Sequence, residues 1–235
     1  MPRTVRKGLG RYRLAQLRSD LKLTPEARVL AAEQTERDVP ENIIIGVEPR
    51  PTVGARIRGA TRSPGRVSER PSPVPADAFQ SKLALVCSVL NESRAAYLVV
   101  GARAMQLWGT TRATNDIDIL IEPTLANAER VLQGLSRIGF GVAADFTAEE
   151  VVSRHVTIIG DTPRVDILTR AWNLKWQDAA PRAASVAIEG VDIPVVTIDD
   201  LIASKRTGRL QDLADIEVLE AIQKARTQPP KQSPK

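Results

Sequence analysis

The run Asp116-Ile117-Asp118-Ile119-Leu120-Ile121 constrains this chain more than any other. It opens with strict alternation of carboxylate and isoleucine, a period of two that suits a strand and no helix. Asp116 and Asp118 then point the same way while Ile117 and Ile119 enter a core. Two carboxylates side by side on one face repel each other, so they are either the wet face of a half-exposed strand or a seat for cations. A third carboxylate, Asp166, interrupts the apolar run Arg164-Val165-Asp166-Ile167-Leu168. An unpaired carboxylate on a buried strand is costly, so Asp166 needs a cation, a partner or water, unless it sits on a sheet edge.

The surrounding pattern gives an α+β order. Phe79, Leu83, Val86 and Leu90 recur at helical spacing and end near Asn91; Tyr97 to Val100 reads as a short buried strand; Gly101 turns the chain into a helix that closes at Gly109. After the Asp-x-Asp strand comes a helix capped by Thr124 and stopped by Gly139, then a Thr147/Glu150 capping box. Strands follow over 156–159 and 164–168, and a hairpin over 185–196 turns at Glu189-Gly190. Helices from about Asp199 to Lys224 close the chain, ahead of a polar tail. The fold expected is a small mixed central sheet with flanking helices, C-terminal helices and a flexible N-terminal arm.

Four segments follow: a small helical segment over 1–38, a basic Pro/Gly/Arg-rich linker over 39–75 with one short apolar run at Ile43-Ile44-Ile45, a main domain over 76–221, and a disordered tail over 222–235. Thr24-Pro25-Glu26 announces a helix running to about Asp38, and Leu14, Leu17 and Leu21 mark one face of a helix before it. Two short helices bury little by themselves, so they dock on the main domain or on a partner. The net charge of +5 is uneven, with 15 Lys and Arg against 8 Asp and Glu in residues 1–75. That basic arm suits the phosphates of nucleic acid, although a charge run also solubilises. No apolar run of membrane-spanning length and no signal-peptide pattern is present, so a cytoplasmic protein without membrane attachment is expected. Cys87, the single cysteine, falls in an apolar helical pattern and reads as core.

Phosphoryl transfer from a nucleoside triphosphate uses two hard cations held by oxygen ligands, which Asp116, Asp118 and Asp166 supply. The strand ending at Val100, the glycine at 101 and the helix start form a turn whose backbone N–H groups can receive a triphosphate, with Gly101 permitting close approach. Arg112 either meets phosphate or holds its own loop. Lys205 and Asp212, seven apart with Asp215 three further on, form either an intrahelical ion-pair face or part of the site. His155 reads as a strand end, and Trp172 and Trp176 as packing under the C-terminal helices.

Taken together, Val99-Val100-Gly101-Ala102-Arg103-Ala104, Gly109, and Arg112-Ala113-Thr114-Asn115-Asp116-Ile117-Asp118 resemble the signature of the DNA polymerase β nucleotidyltransferase superfamily, and especially its small bacterial abortive-infection and toxin–antitoxin members. The stretch Val195 to Lys205, with Asp212 and Asp215, is similar to their C-terminal helical motif, so the likeness covers about residues 95–220. The resemblance implies that Asp116, Asp118 and Asp166 are catalytic and bind magnesium, two ions in all. It also places Gly101, Ala102, Arg112, Thr114 and Lys205 at the nucleotide. The implied reaction moves a nucleoside monophosphate to an acceptor hydroxyl on RNA such as tRNA, or on protein, and the implied partner is an antitoxin. One departure is Ala102, where the family commonly carries Gly or Ser. Two other readings stand beside this one: a non-catalytic nucleotide- or partner-binding protein on the same fold, and an antitoxin-like module in residues 1–38 joined to its enzyme.

Overall fold

The computed structural model describes residues 11–38, 72–75 and 77–227. The apolar run Ile43–Ile45, most of the linker and the end of the tail lie outside them. The fold is mixed α+β, with an open six-stranded sheet flanked by helices. Helices α1 (Arg11–Asp20), α2 (Pro25–Asp38) and α3 (Lys82–Glu92) precede β1 (Tyr97–Val99), α4 (Gly101–Trp108) and β2 (Asp116–Ile121). Then come α5 (Leu125–Leu135), α6 (Ala148–Ser153), β3 (Val156–Ile159) and β4 (Arg164–Leu168). Short α7 (Trp176–Ala179), the hairpin β5 (Ala184–Ile188) and β6 (Val191–Val195), α8 (Ile198–Ser204) and α9 (Leu210–Thr227) complete it.

The strand order is β3-β4-β2-β1-β6-β5. β2 pairs antiparallel with β1 and parallel with β4, so the Asp-x-Asp strand is central, and its residues 117 and 119–121 are fully buried. The expected local signals operate. Thr124 caps α5 by accepting from Asn127 N–H at 3.3 Å, and Thr147 and Glu150 form their reciprocal box on α6. Glu189 and Gly190 take φ of 50° and 77°, the left-handed pair that a tight hairpin needs. α5 stops at Leu135, four residues ahead of Gly139, because Gly139 is used differently. It sits at φ 60° beside Asp161, whose carboxylate accepts the N–H groups of Phe140 at 2.8 Å, Val142 at 3.0 Å and Thr162 at 2.7 Å.

α9 runs on through buried Ile222 to Thr227, so the helical body extends beyond residue 221 into the segment expected to be a tail. The N-terminal pair docks on the main domain: Leu17, Val29 and Ala32 join its core, and α2 packs on α4. Buried Glu33 accepts from Ser81 Oγ at 3.2 Å and from the N–H groups of Lys82 at 3.0 Å and Leu83 at 3.3 Å. A carboxylate from α2 therefore caps α3, where the free N–H groups and the helix dipole favour negative charge. Glu189 adds a second there, accepting Ser81 N–H at 2.7 Å. Cys87 is buried as expected, and burial pushes its thiol up to about 12, which keeps it inert. Trp176 is partly buried against the core, whereas Trp172 is half exposed in a left-handed turn at φ 57°, not packed under the last helices. Among the described residues no helix is long and apolar enough to cross a membrane.

Candidate functional site

Strand register brings the three carboxylates together. β2 and β4 run parallel with Asp118 beside Asp166 and Asp116 beside Arg164. Directly paired residues share a sheet face, so Asp116, Asp118 and Asp166 line one side. Asp118 lies against the start of α4: a Cβ on Gly101 would overlap the Asp118 carboxylate, 2.8 Å from its Cγ, and Gly101 has φ +63°. Only glycine suits both conditions. Val100 N–H donates to Asp118 O at 3.0 Å, which ties the strand–turn–helix to the Asp-x-Asp strand. Burial, then the charges of Asp116 and Asp166, push the Asp118 carboxyl up to about 6 against the opposing pull of Lys205 and Arg164. Burial is the largest part of that rise, and the two neighbouring carboxylates add to it.

The side chains are less convergent than the backbones. Asp166 is buried and held two-pronged by Arg164, with Nε to Oδ1 at 2.9 Å and Nη2 to Oδ2 at 3.0 Å. Among the described residues no group of three or more His, Cys, Asp or Glu side chains is gathered as a metal seat. Thr114 Oγ1 donates to Asp116 Oδ1 at 3.1 Å, so Thr114 orients the first carboxylate. Ala102 follows Gly101 in the first turn of α4, buried, at the helix end where backbone N–H groups lack intrahelical acceptors.

Arg112 and Lys205 converge on one carboxylate, Asp215. Arg112 Nη1 reaches its two oxygens at 2.9 and 2.8 Å, and Lys205 Nζ reaches Oδ2 at 2.7 Å. The spacing that put Lys205 and Asp212 on one helix is overturned: α8 ends at Ser204, Lys205 is its C-cap, and Asp212 lies on α9 across the break, 3.7 Å away. Lys205 is nevertheless close enough to Asp118 to pull its carboxyl down. Exposed His155 immediately precedes β3, and its carbonyl accepts Thr169 N–H at 3.2 Å, which ties down the strand end.

The supports of this site were not found by motif. Arg103, fully buried, donates from Nη2 to Thr114 O at 2.9 Å and pairs with Glu33 of α2 at 3.3 Å. Gln106 donates to Arg112 O at 2.6 Å. Arg28 of α2 donates to the last-turn carbonyls Gln106 O and Leu107 O of α4, both at 2.8 Å. Asp20 at the end of α1 accepts Thr111 N–H at 3.2 Å and its hydroxyl at 3.1 Å. The N-terminal helices thus grip α4 and the loop 110–115 that carries Arg112 and Thr114. The available signal was Arg103 between alanines in an apolar helix, since a buried arginine requires a carboxylate.

No family model matches the chain, and comparison with the curated proteins finds no match.

Proposed function

We propose that this protein is a metal-dependent nucleotidyltransferase that resembles the DNA polymerase β superfamily and moves a nucleoside monophosphate from a triphosphate to an acceptor hydroxyl. The observation that carries the reading is Asp118, in register with Asp166 and two residues from Asp116, lying against a glycine that opens a helix. A divalent cation suits this donor set. The ligands are all hard oxygens, three carboxylates share the face with one paired arginine, and Asp116 and Asp118, with Asp166 as third donor, would hold magnesium, two ions by analogy. When bound, such ions offset the charge developing on the phosphates.

The residues divide the remaining work. Gly101 and Ala102 present the first turn of α4 to the triphosphate, while Thr114 fixes Asp116. Lys205 and the half-exposed Arg112 supply positive charge beside the phosphates when Asp215 shares them. The acceptor oxygen attacks the α-phosphorus, the bond to the bridging oxygen breaks, pyrophosphate leaves with that electron pair, and the acceptor's proton passes to Asp166. RNA, including tRNA, fits the basic N-terminal sequence better than a protein acceptor does. A cytoplasmic toxin with an antitoxin partner belongs to the same reading and rests on the resemblance. The docking of residues 11–38 through buried Glu33 and Arg28 favours an integral part of the fold over a detachable antitoxin-like module.

Arg164 on Asp166 and Asp215 on both cations favour one second reading: a protein that binds a triphosphate without turning it over. Incubation with magnesium, each of four labelled triphosphates and total RNA plus cell protein separates the two. Label on a macromolecule, abolished in Asp116→Ala/Asp118→Ala, supports transfer; triphosphate binding with no transfer supports the sensor.

A further inference from the structure

A pocket of ≈ 270 Å³ opens between α1, the loop 110–112 and α9. Its apolar wall is Leu17, Met105 and Val218, and its polar rim includes Gln16, Gln211 and Arg13. It adjoins the candidate site through shared residues: Arg112 and Asp215 line it, Asp215 holds Lys205, and the charge of Lys205 reaches Asp118.

We infer that this pocket receives the terminal nucleotide of a single-stranded RNA acceptor, an inference that rests on the nucleotidyltransferase reading and names the acceptor class. Three observations converge. The size suits one planar group, since it falls just below the range of about 300–1,000 Å³ for complete small-molecule sites. The chemistry matches a base: Leu17, Met105 and Val218 supply an apolar wall for its face to pack on, and the two amides offer an edge. Gln16 spends an N–H on Asp20 at 2.8 Å and Gln211 one on Asp215 at 3.3 Å, so both amide oxygens remain to accept from the base's N–H groups. The charge follows the same direction. Among the described residues Arg13 has no ion-pair partner, so the pocket rim offers a cation to a phosphate backbone. The pocket needs α1 as one wall, which gives the N-terminal pair a function as well as a place in the core.

The test uses the full chain without magnesium or triphosphate, so it is independent of catalysis. Fluorescence anisotropy compares a short 5′-labelled single-stranded RNA with the same RNA lacking only its 3′-terminal base. The wild type is expected to bind the intact RNA about tenfold more tightly, the effect of burying one base face against apolar side chains. Ala214→Phe, which fills the pocket from the α9 side, should bind both probes equally weakly, and exposed Gln211→Ala should reduce the difference without any demand on folding. Arg13→Glu should weaken both probes and flatten the salt dependence. Equal binding of the two probes by wild type, or a difference that survives Ala214→Phe in a folded variant, overturns the inference. A separate titration with magnesium and triphosphate keeps the two readings apart. Its failure alone counts against the nucleotidyltransferase, whereas loss of triphosphate binding in Ala214→Phe with the base preference intact assigns the pocket to the triphosphate and overturns the acceptor subsite.

Discussion

Asp118 and Asp161 are the same residue type in opposite surroundings. Asp118 is set against Gly101 beside two further carboxylates, and burial and like charge push its carboxyl up to about 6. Asp161 also feels burial raising it, but the N–H groups of Phe140, Val142 and Thr162 outweigh that and hold it below the usual carboxylate range. One aspartate costs the fold stability; the other supplies it. A chain keeps the costly arrangement where something other than folding depends on it, and hydrogen-bonds the rest.

The sharpest way to break this contrast is Asp118→Asn. It preserves shape and removes one of three adjacent charges. Transfer should fall by more than the roughly tenfold to hundredfold seen for residues that only orient a metal's ligands, since Asp118 would be a ligand itself. Stability of the metal-free protein should rise by about 1 kcal/mol as like-charge repulsion is relieved. Thermal unfolding beside the label-transfer assay checks both; a lower melting temperature would mean that Asp118 serves the fold, as Asp161 does.

Glu33→Ala asks whether the buried pair behind the site is as costly to break as its burial implies. Glu33 and Arg103 are 1% and 0% exposed, and Glu33 also caps α3. Removing one partner of such a pair costs about 3–5 kcal/mol. At about 2–4 °C per kcal/mol for a chain of this size, the melting temperature should drop by about 10 °C. A drop of only a degree or two would show that α2 is incidental to the domain.

These residues also mark what could be read in advance. The strand over 116–121, the 156–159 and 164–168 pair, the hairpin at Glu189-Gly190 and the capped helices were legible because each is set by period or cap, which are local. The three carboxylates were legible for the same reason: two share a strand, and the third breaks an apolar run. Asp215 gathering Arg112 and Lys205, and Glu33 meeting Arg103, were not, because each pairing joins elements whose separation in sequence carries no rule; Arg164 and Asp166, two apart on β4, share a face that the period of two already offered. The Lys205/Asp212 spacing misled because the break between α8 and α9 removes the helical periodicity it assumed.

Two glycines isolate the contact with Asp118. Gly101 and Gly190 both have positive φ, 63° and 77°, but a Cβ on Gly190 meets nothing within 4 Å. Gly190→Ala should therefore cost about 1 kcal/mol of backbone strain. Gly101→Ala adds the collision with Asp118 and should cost about 2–3 kcal/mol in all, with loss of triphosphate binding. Urea unfolding of both variants measures the difference; equal costs would mean that Asp118 moves aside freely.

The smallest effect concerns Asp161 and is read through pH. Its folded-state carboxyl lies below its unfolded value, so the unfolded chain binds more protons in that range and stability rises with pH. The contribution is complete above the unfolded value of about 4 and is lost as pH falls through the folded one. Asp161→Asn keeps an acceptor oxygen but not the charge, so at pH 7 it should cost about 1 kcal/mol, the scale of one charged hydrogen bond at a partly exposed site. Urea unfolding of both proteins down a pH series should show this gap closing only below about pH 4. A gap independent of pH would mean that the clasp around Gly139 depends on the geometry of the acceptor and not on its charge, and the electrostatic half of the contrast with Asp118 would fail.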